Sequence, residues 1–186
     1  MKNDKQLTQE QQVILLAQQD RKNFQPLYEK YFDQIYWFIL KRIGSESLSG
    51  DICQQVFFQA MVALPKYRFQ GFPFSSWLYR IALNEVNQYY RKSKKARYVE
   101  IEEEHLMDMV EEVEFDTETV DPDALVEKLL AHLNPEELSI IEMKYFEGKG
   151  FREIGEILSL KESACKVRAH RILKKLRTVL STLGVK

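Results

Sequence analysis

Apolar residues recur at three- and four-residue steps from Phe24 onward, through Leu27, Tyr28, Tyr31, Ile35, Phe38 and Ile39. That spacing marks one face of a helix and predicts a long amphipathic helix over residues 23–43. Gly44 and the serine-rich "GSESLSG" end it. A second helix is expected from Asp51, whose carboxylate suits a cap, along the stripe Ile52, Val56, Phe57, Ala60 and Leu64 as far as Pro65. Residues 66–75, with Gly71 and Pro73, read as loop. A third helix runs from Ser75 or Ser76 to Lys92. From Tyr98 to Pro122 the periodicity lapses into "EIEEEHLMDMVEEVEFDTETVDP", which predicts a linker, the alternative being an acidic helix solvated on one side. A second helical unit begins in residues 123–133. Asn134-Pro135 opens a helix, since Asn caps and Pro suits the first helical position; that helix continues through "EELSIIEMKYF" to Gly148 and Gly150. Then come "FREIGEIL", the short break "SLKE" and "SACKVRAHRILKKLRTVL". The predicted fold is all-α, with two small helical domains, residues 1–97 and 123–186, joined by an acidic linker at 98–122. The second domain contains a helix-turn-helix pattern.

Composition agrees with helices: 45% of residues are apolar and 12% aromatic, while five Pro and seven Gly leave few tight turns for a sandwich or barrel. No apolar run reaches membrane-spanning length, and "MKNDKQLTQEQQ" has no signal-peptide character, so a cytoplasmic protein without membrane insertion is expected. Cys53 and Cys165 lie far apart and read as reduced core residues. His105, His132 and His170 are scattered, so neither a metal nor another cofactor is expected. No paired nucleophile and base and no glycine-rich phosphate loop suggest an enzyme or a small-molecule substrate.

Charge changes the picture more than composition does. The net charge is −1, yet residues 1–97 carry +7, residues 98–131 carry −12 and residues 132–186 carry +4. Two basic blocks flanking an acidic one point to separate partners for separate segments. On a helical wheel of the last element, Cys165, Ala169, Ile172, Leu173 and Leu176 form the packed side. Opposite lie Ser163, Val167, His170, Arg171 and Lys174, with Lys166 and Arg177 beside them. In a helix-turn-helix the start of the second helix reaches base edges and later basic residues hold phosphates. Ser163, Lys166 and Val167 are therefore candidate base contacts, with Arg168 on the flank; Val167 suits a thymine methyl. Arg171, Lys174 and Lys175, with His170 on the same face, are candidates for the backbone. The competing reading, a merely solvated basic helix, loses ground because "FREIGEIL" and a short turn precede it.

The third helix repeats the division. Phe74, Leu78, Ile81, Ala82, Glu85 and Tyr89 share one side, with Glu85 as a polar exception. Trp77, Arg80, Asn84, Asn87 and Arg91 lie nearly opposite. Aromatic rings stack on unpaired bases, amides bond base edges and arginines track phosphates, so that face suits a separated strand. Phe69, Phe72 and Phe74 beside it could wall a pocket for an extruded base, and "RKSKKAR" adds charge. Trp77 reads equally well as a buried edge residue, and each phenylalanine taken singly as core.

"SGDICQQVFFQAMVAL" followed by "FPFSSWLYRIALNEVNQYYRKSKK" resembles the second region of the extracytoplasmic-function sigma factors of bacterial RNA polymerase. "LNPEELSIIEMKYFEGKGFREIGEILSLKESACKVRAHRILKKLR" resembles their fourth region. The resemblance implies a promoter-opening subunit whose partners are core RNA polymerase, promoter DNA as duplex and as melted non-template strand, and an anti-sigma factor. It implies that the helix carrying Asp51, Gln54, Gln55, Phe57 and Phe58 grips the polymerase. The 66–76 loop with Phe69, Phe72 and Phe74, and the face with Trp77, Arg80, Asn84 and Arg91, would melt the minus-ten element. The last helix would read the minus-thirty-five element. An acidic linker would suit the polymerase's RNA path, where carboxylates stand in for phosphates. Gln55 stands where the family usually has Glu, Leu138 where Arg is frequent, Gly155 where Ala is common, Ala164 for Thr and Val167 for Ser. A conventional helix-turn-helix repressor or activator would explain residues 132–180 but neither the Trp77 face nor the acidic segment.

Overall fold

The computed structural model describes residues 2–93 and 128–182. The expected linker at 98–122, the start of the second helical unit at 123–127 and the end of "RKSKKAR" lie outside them. All regular structure among the described residues is helical. Contacts divide the chain into two units, Met1–Val99 and Glu100–Lys186.

In the first unit, α1 (Lys2–Gln19) leads through a 3-10 turn (Arg21–Phe24) into α2 (Gln25–Ile43). Next come α3 (Glu46–Ala63), a second 3-10 turn (Leu64–Lys66) and α4 (Phe74–Ser93). Helices α2, α3 and α4 pack on one another around Leu27, Ile35, Ile39, Cys53, Val56, Ala60, Leu78 and Ala82, all almost wholly buried. α2 ends as its composition requires: Gly44 takes the left-handed conformation at φ 69° and its N–H returns to the Leu40 carbonyl at 2.8 Å.

The structure corrects three expectations. Helix α3 begins at Glu46, not Asp51, so most of the serine-rich stretch is helix. Ser45 supplies the extended residue before it and Ser49 is fully buried. Weak helix propensity yields to tertiary packing there, and Asp51 is an exposed mid-helix residue, not a cap. Helix α4 begins at Phe74, and its buried stripe is turned toward Tyr79, Leu83, Val86 and Tyr90. Ile81 and Tyr89 are only half-buried. Glu85, the polar exception, accepts a 2.8 Å hydrogen bond from the Gln59 amide of α3, which joins the two helices.

Helix α1, to which the periodicity assigned nothing, is held by buried apolar residues and by polar contacts. Its inward positions are Glu10, Ile14 and Ala17. The buried Glu10 carboxylate accepts from the Tyr31 hydroxyl and pairs with Lys30 at 2.6 Å. Burial, then that hydrogen bond, hold the Tyr31 hydroxyl far above its ordinary titration range. The Gln18 amide donates to the carbonyls of Leu64 and Tyr67, each at 2.9 Å.

In the second unit a helical turn at 128–130 buries Leu129 and Leu130. Helix α5 (Pro135–Ile141) opens on a complete capping box: Asn134 Oδ1 accepts from the N–H groups of Glu136 and Glu137, and Glu137 Oε2 accepts from the Asn134 N–H at 2.9 Å. The helix does not continue as α through "KYF". Residues Glu142–Phe146 form a π-helical turn. Ile140, Ile141, Glu142 and Met143 are buried in succession, followed by Tyr145 and Phe146; a widened turn brings more consecutive side chains inward than a 3.6-residue period allows.

Helices α6 (Phe151–Leu158) and α7 (Glu162–Thr182) complete the unit. The connection is three residues, one shorter than expected, with Ser159 left-handed at φ 58° and the Leu160 N–H bonded to the Gly155 carbonyl at 2.8 Å. A Cβ at position 155 would lie 2.6 Å from the Leu160 carbonyl oxygen, so this turn is built around glycine. Each unit buries one free thiol completely, Cys53 in α3 and Cys165 in α7.

Candidate nucleic-acid interfaces

Helix α4 presents its outward side beside the 67–73 segment. Asn84 and Arg91 are exposed, while Trp77, Arg80 and Asn87 are half-exposed. The Trp77 ring packs 4.9 Å from Tyr67 and 5.3 Å from Phe74 between centroids. It is therefore an edge residue: one side is held by aromatics and part of the indole remains in solvent. Phe69 is exposed and Phe72 half-buried. Gly71, at φ 82°, turns the backbone between them. The Tyr67 carbonyl accepts from the Arg68 guanidinium at 3.0 Å.

Phe74 does not belong to this surface. It is fully buried, 5.8 Å from the Tyr31 ring and 5.3 Å from Tyr67, and closes the core beneath the site. The expectation that it walls a base pocket is corrected accordingly: as the first residue of α4 it points down the buried stripe. Tyr67 takes the neighbouring place instead. The signal for it was available, an aromatic residue next to basic ones in "PKYRF", but it stood outside the three-phenylalanine pattern.

On α3 the structure separates two adjacent phenylalanines. Phe57 is 3% exposed and packs against Phe24, Tyr28 and Phe32, with centroids 6.5, 4.8 and 6.2 Å away. Phe58 is 57% exposed. Adjacent residues stand about 100° apart on a helix, so only one can face the core; Phe57 is a packing residue and leaves the candidate contact set. Asp51, Gln54 and Gln55 share the exposed side with Phe58, and Val62 extends it one turn further. Periodicity gave no reason to pick out Val62.

On α7, Cys165, Ala169, Ile172, Leu173 and Leu176 are all buried. Ser163, Lys166, Val167, His170, Arg171, Lys174 and Lys175 are exposed, and Arg168 is half-exposed at the edge. Three of the cations are already paired. Lys166 reaches Glu162 one turn back at 2.6 Å, Arg168 pairs with Glu136, and Lys175 pairs with Glu137 at 2.8 Å. Burial alone would raise the Glu137 carboxyl, but the Lys175 ammonium and the Asn134 N–H outweigh it and hold the group below its ordinary 4.5. Lys175, expected to hold phosphates, faces a carboxylate of α5 instead. That pairing joins residues 38 positions apart, which no local pattern reveals. Among the described residues, no cluster of three or more His, Cys, Asp or Glu side chains could hold a metal ion, and no helix is long and apolar enough to cross a membrane.

Comparison with known proteins supplies the context. Residues 27–96 match the family described as Sigma-70 region 2, and residues 123–176 match Sigma-70, region 4. The ECF RNA polymerase sigma factor SigW of Bacillus subtilis is 29% identical over 173 residues, 88% of this chain and 92% of that protein. The ECF RNA polymerase sigma factor BldN of Streptomyces coelicolor is 26% identical over 165 residues, 84% of this chain; the chain spans 60% of BldN's length. Among solved structures, the sigma factor RpoE of Bartonella quintana, crystallised with the anti-sigma factor NepR, superposes with a TM-score of 0.56. It shares 16% identity and covers 86% of this chain and 98% of its own, a likeness of fold.

Proposed function

The chain belongs to the sigma-70 family of RNA polymerase sigma factors, in its extracytoplasmic-function branch, and we propose that its two helical units divide promoter recognition between separated and paired DNA. As a sigma factor it binds core RNA polymerase and directs promoter-specific transcription initiation, a role that involves no chemistry of its own. The α3 side with Asp51, Gln54, Gln55 and Phe58 is the polymerase-gripping surface. Phe69, Phe72, Trp77, Arg80, Asn84 and Arg91 engage the minus-ten element. The exposed side of α7, from Ser163 to Lys175, reads the minus-thirty-five element. An anti-sigma protein that covers the polymerase-binding side is the regulatory partner this reading expects.

The observation that carries the reading is the α4 surface: a half-exposed indole, guanidinium groups and a side-chain amide on one side of a helix whose other side is core. Extruding a base costs a few kcal/mol of stacking and pairing, and stacking on an aromatic side chain returns about 1–3 kcal/mol per base. Trp77 and the neighbouring aromatic rings supply such a platform, Asn84 can bond a base edge, and Arg80 and Arg91 offset phosphate charge. The duplex contact of α7 rests on phosphate neutralisation and weakens as salt rises.

Run-off transcription with core polymerase and a library of promoter fragments tests the function. A sigma factor yields discrete transcripts, whereas a repressor initiates nothing however well it shifts duplex DNA. In the same assay, Trp77→Ala and Asn84→Ala are expected to impair open-complex formation, read by permanganate reactivity of the bubble, while core binding is retained. Normal opening by both variants would refute the minus-ten assignment.

A further inference from the structure

We propose that Glu136 and Glu137, at the start of α5, set the selectivity of the duplex reader by withholding Arg168 and Lys175 from indiscriminate phosphate contact. The inference rests on the reading of α7 as that reader. Arg168 and Lys175 are seven residues apart and so line one edge of α7, and each meets a carboxylate from another helix. The Lys166–Glu162 pair differs in kind, because it lies within α7 at a four-residue spacing open to any helix. Glu137 is held in place independently of Lys175, since its carboxylate also accepts the Asn134 N–H at 2.9 Å as half of the capping box. The Glu137 carboxylate is thus fixed before any DNA arrives. Neither Arg171 nor Lys174, both exposed, has an ion pair among the described residues, so the reading face holds two kinds of cation, open and occupied.

A lysine or arginine that neutralises a phosphate releases counterions, and each such contact adds about 0.9 to the slope of log K against log salt. A cation already facing a carboxylate contributes little until the carboxylate is displaced. Exposed ion pairs are weak, so a duplex fitted closely enough to set a phosphate on Arg168 or Lys175 displaces Glu136 or Glu137. A loosely apposed duplex does not. The occupied cations therefore favour the fitted site, and Arg171 and Lys174 bear the general attraction.

The test uses the full chain and a promoterless duplex in a salt series followed by anisotropy. E136Q/E137Q is expected to bind several-fold more tightly at low salt, with the salt slope steeper by about 1 to 2. Its melting temperature should fall only slightly, because the two ion pairs lost are exposed and the Gln amide oxygen keeps the cap at position 137. Removing any acid raises attraction for DNA in a general way, and a double-mutant cycle separates that from the specific effect. Only the general part of the E137Q effect should remain in a K175A background, and only that of E136Q in R168A. An undiminished effect of E137Q in K175A overturns the proposal, as does an unchanged slope or undetectable duplex binding for E136Q/E137Q. Failure of the sigma-factor reading shows elsewhere, as absence of run-off transcripts from the unaltered protein.

Discussion

Phe57 and Phe58 differ by one position and by everything that follows from it. Phe57 sits among Phe24, Tyr28 and Phe32, and its truncation to alanine is expected to cost about 3–5 kcal/mol, read by urea denaturation. Phe58→Ala should leave stability within about 0.5 kcal/mol while weakening binding to core polymerase roughly tenfold, as loss of an exposed aromatic anchor does. Periodicity places Phe57 on the apolar stripe and Phe58 off it, but the aromatic row of Phe24, Tyr28 and Phe32 that makes Phe57 a packing residue lies far away in the sequence. Glu137 gives a residue-scale prediction of another kind. Its carboxyl lies below 4.5, so its contribution is complete at neutral pH and is lost as pH falls through that depressed value. Lys175→Met is expected to move the Glu137 titration upward, measured from its side-chain carboxyl carbon shift.

At the scale of elements, two glycines that look alike in the sequence behave oppositely. Gly50 lies inside α3 with open space where a Cβ would go. Gly50→Ala should therefore stabilise the protein by about 0.5–1 kcal/mol through lower backbone entropy in the unfolded chain. Gly155→Ala would press a methyl group onto the Leu160 carbonyl oxygen and is expected to lower the melting temperature, at a cost of about 1–3 kcal/mol. Opposite shifts in thermal unfolding would confirm the contrast. Legibility followed the same lines. The α7 stripe from Cys165 to Leu176 and the Asn134 cap were readable because their determinants are periodic or local. Helix α1 was not, because its inward stripe of Glu10, Ile14 and Ala17 begins with a carboxylate that only Tyr31 and Lys30 make tolerable. The early start of α3 was hidden by serines whose weak propensity is overridden by packing. The π turn was hidden by an unbroken apolar run, which periodicity cannot assign to one face.

At the scale of the whole molecule, each unit has its own core and its own helix proposed to face DNA. A fragment of residues 1–97 is expected to compete with the full chain for core polymerase, yet to fail at promoters that depend on the minus-thirty-five element; competition binding and run-off transcription measure the two halves of that statement. The cysteines add a practical consequence. Burial pushes the Cys53 thiol up to about 12, and burial followed by the nearby Glu162 charge raises Cys165 as well. Both are therefore sealed and protonated in the native state. One reports on each half of the chain, so timed alkylation with mass-spectrometric readout gives two separate clocks for local opening without any engineered probe.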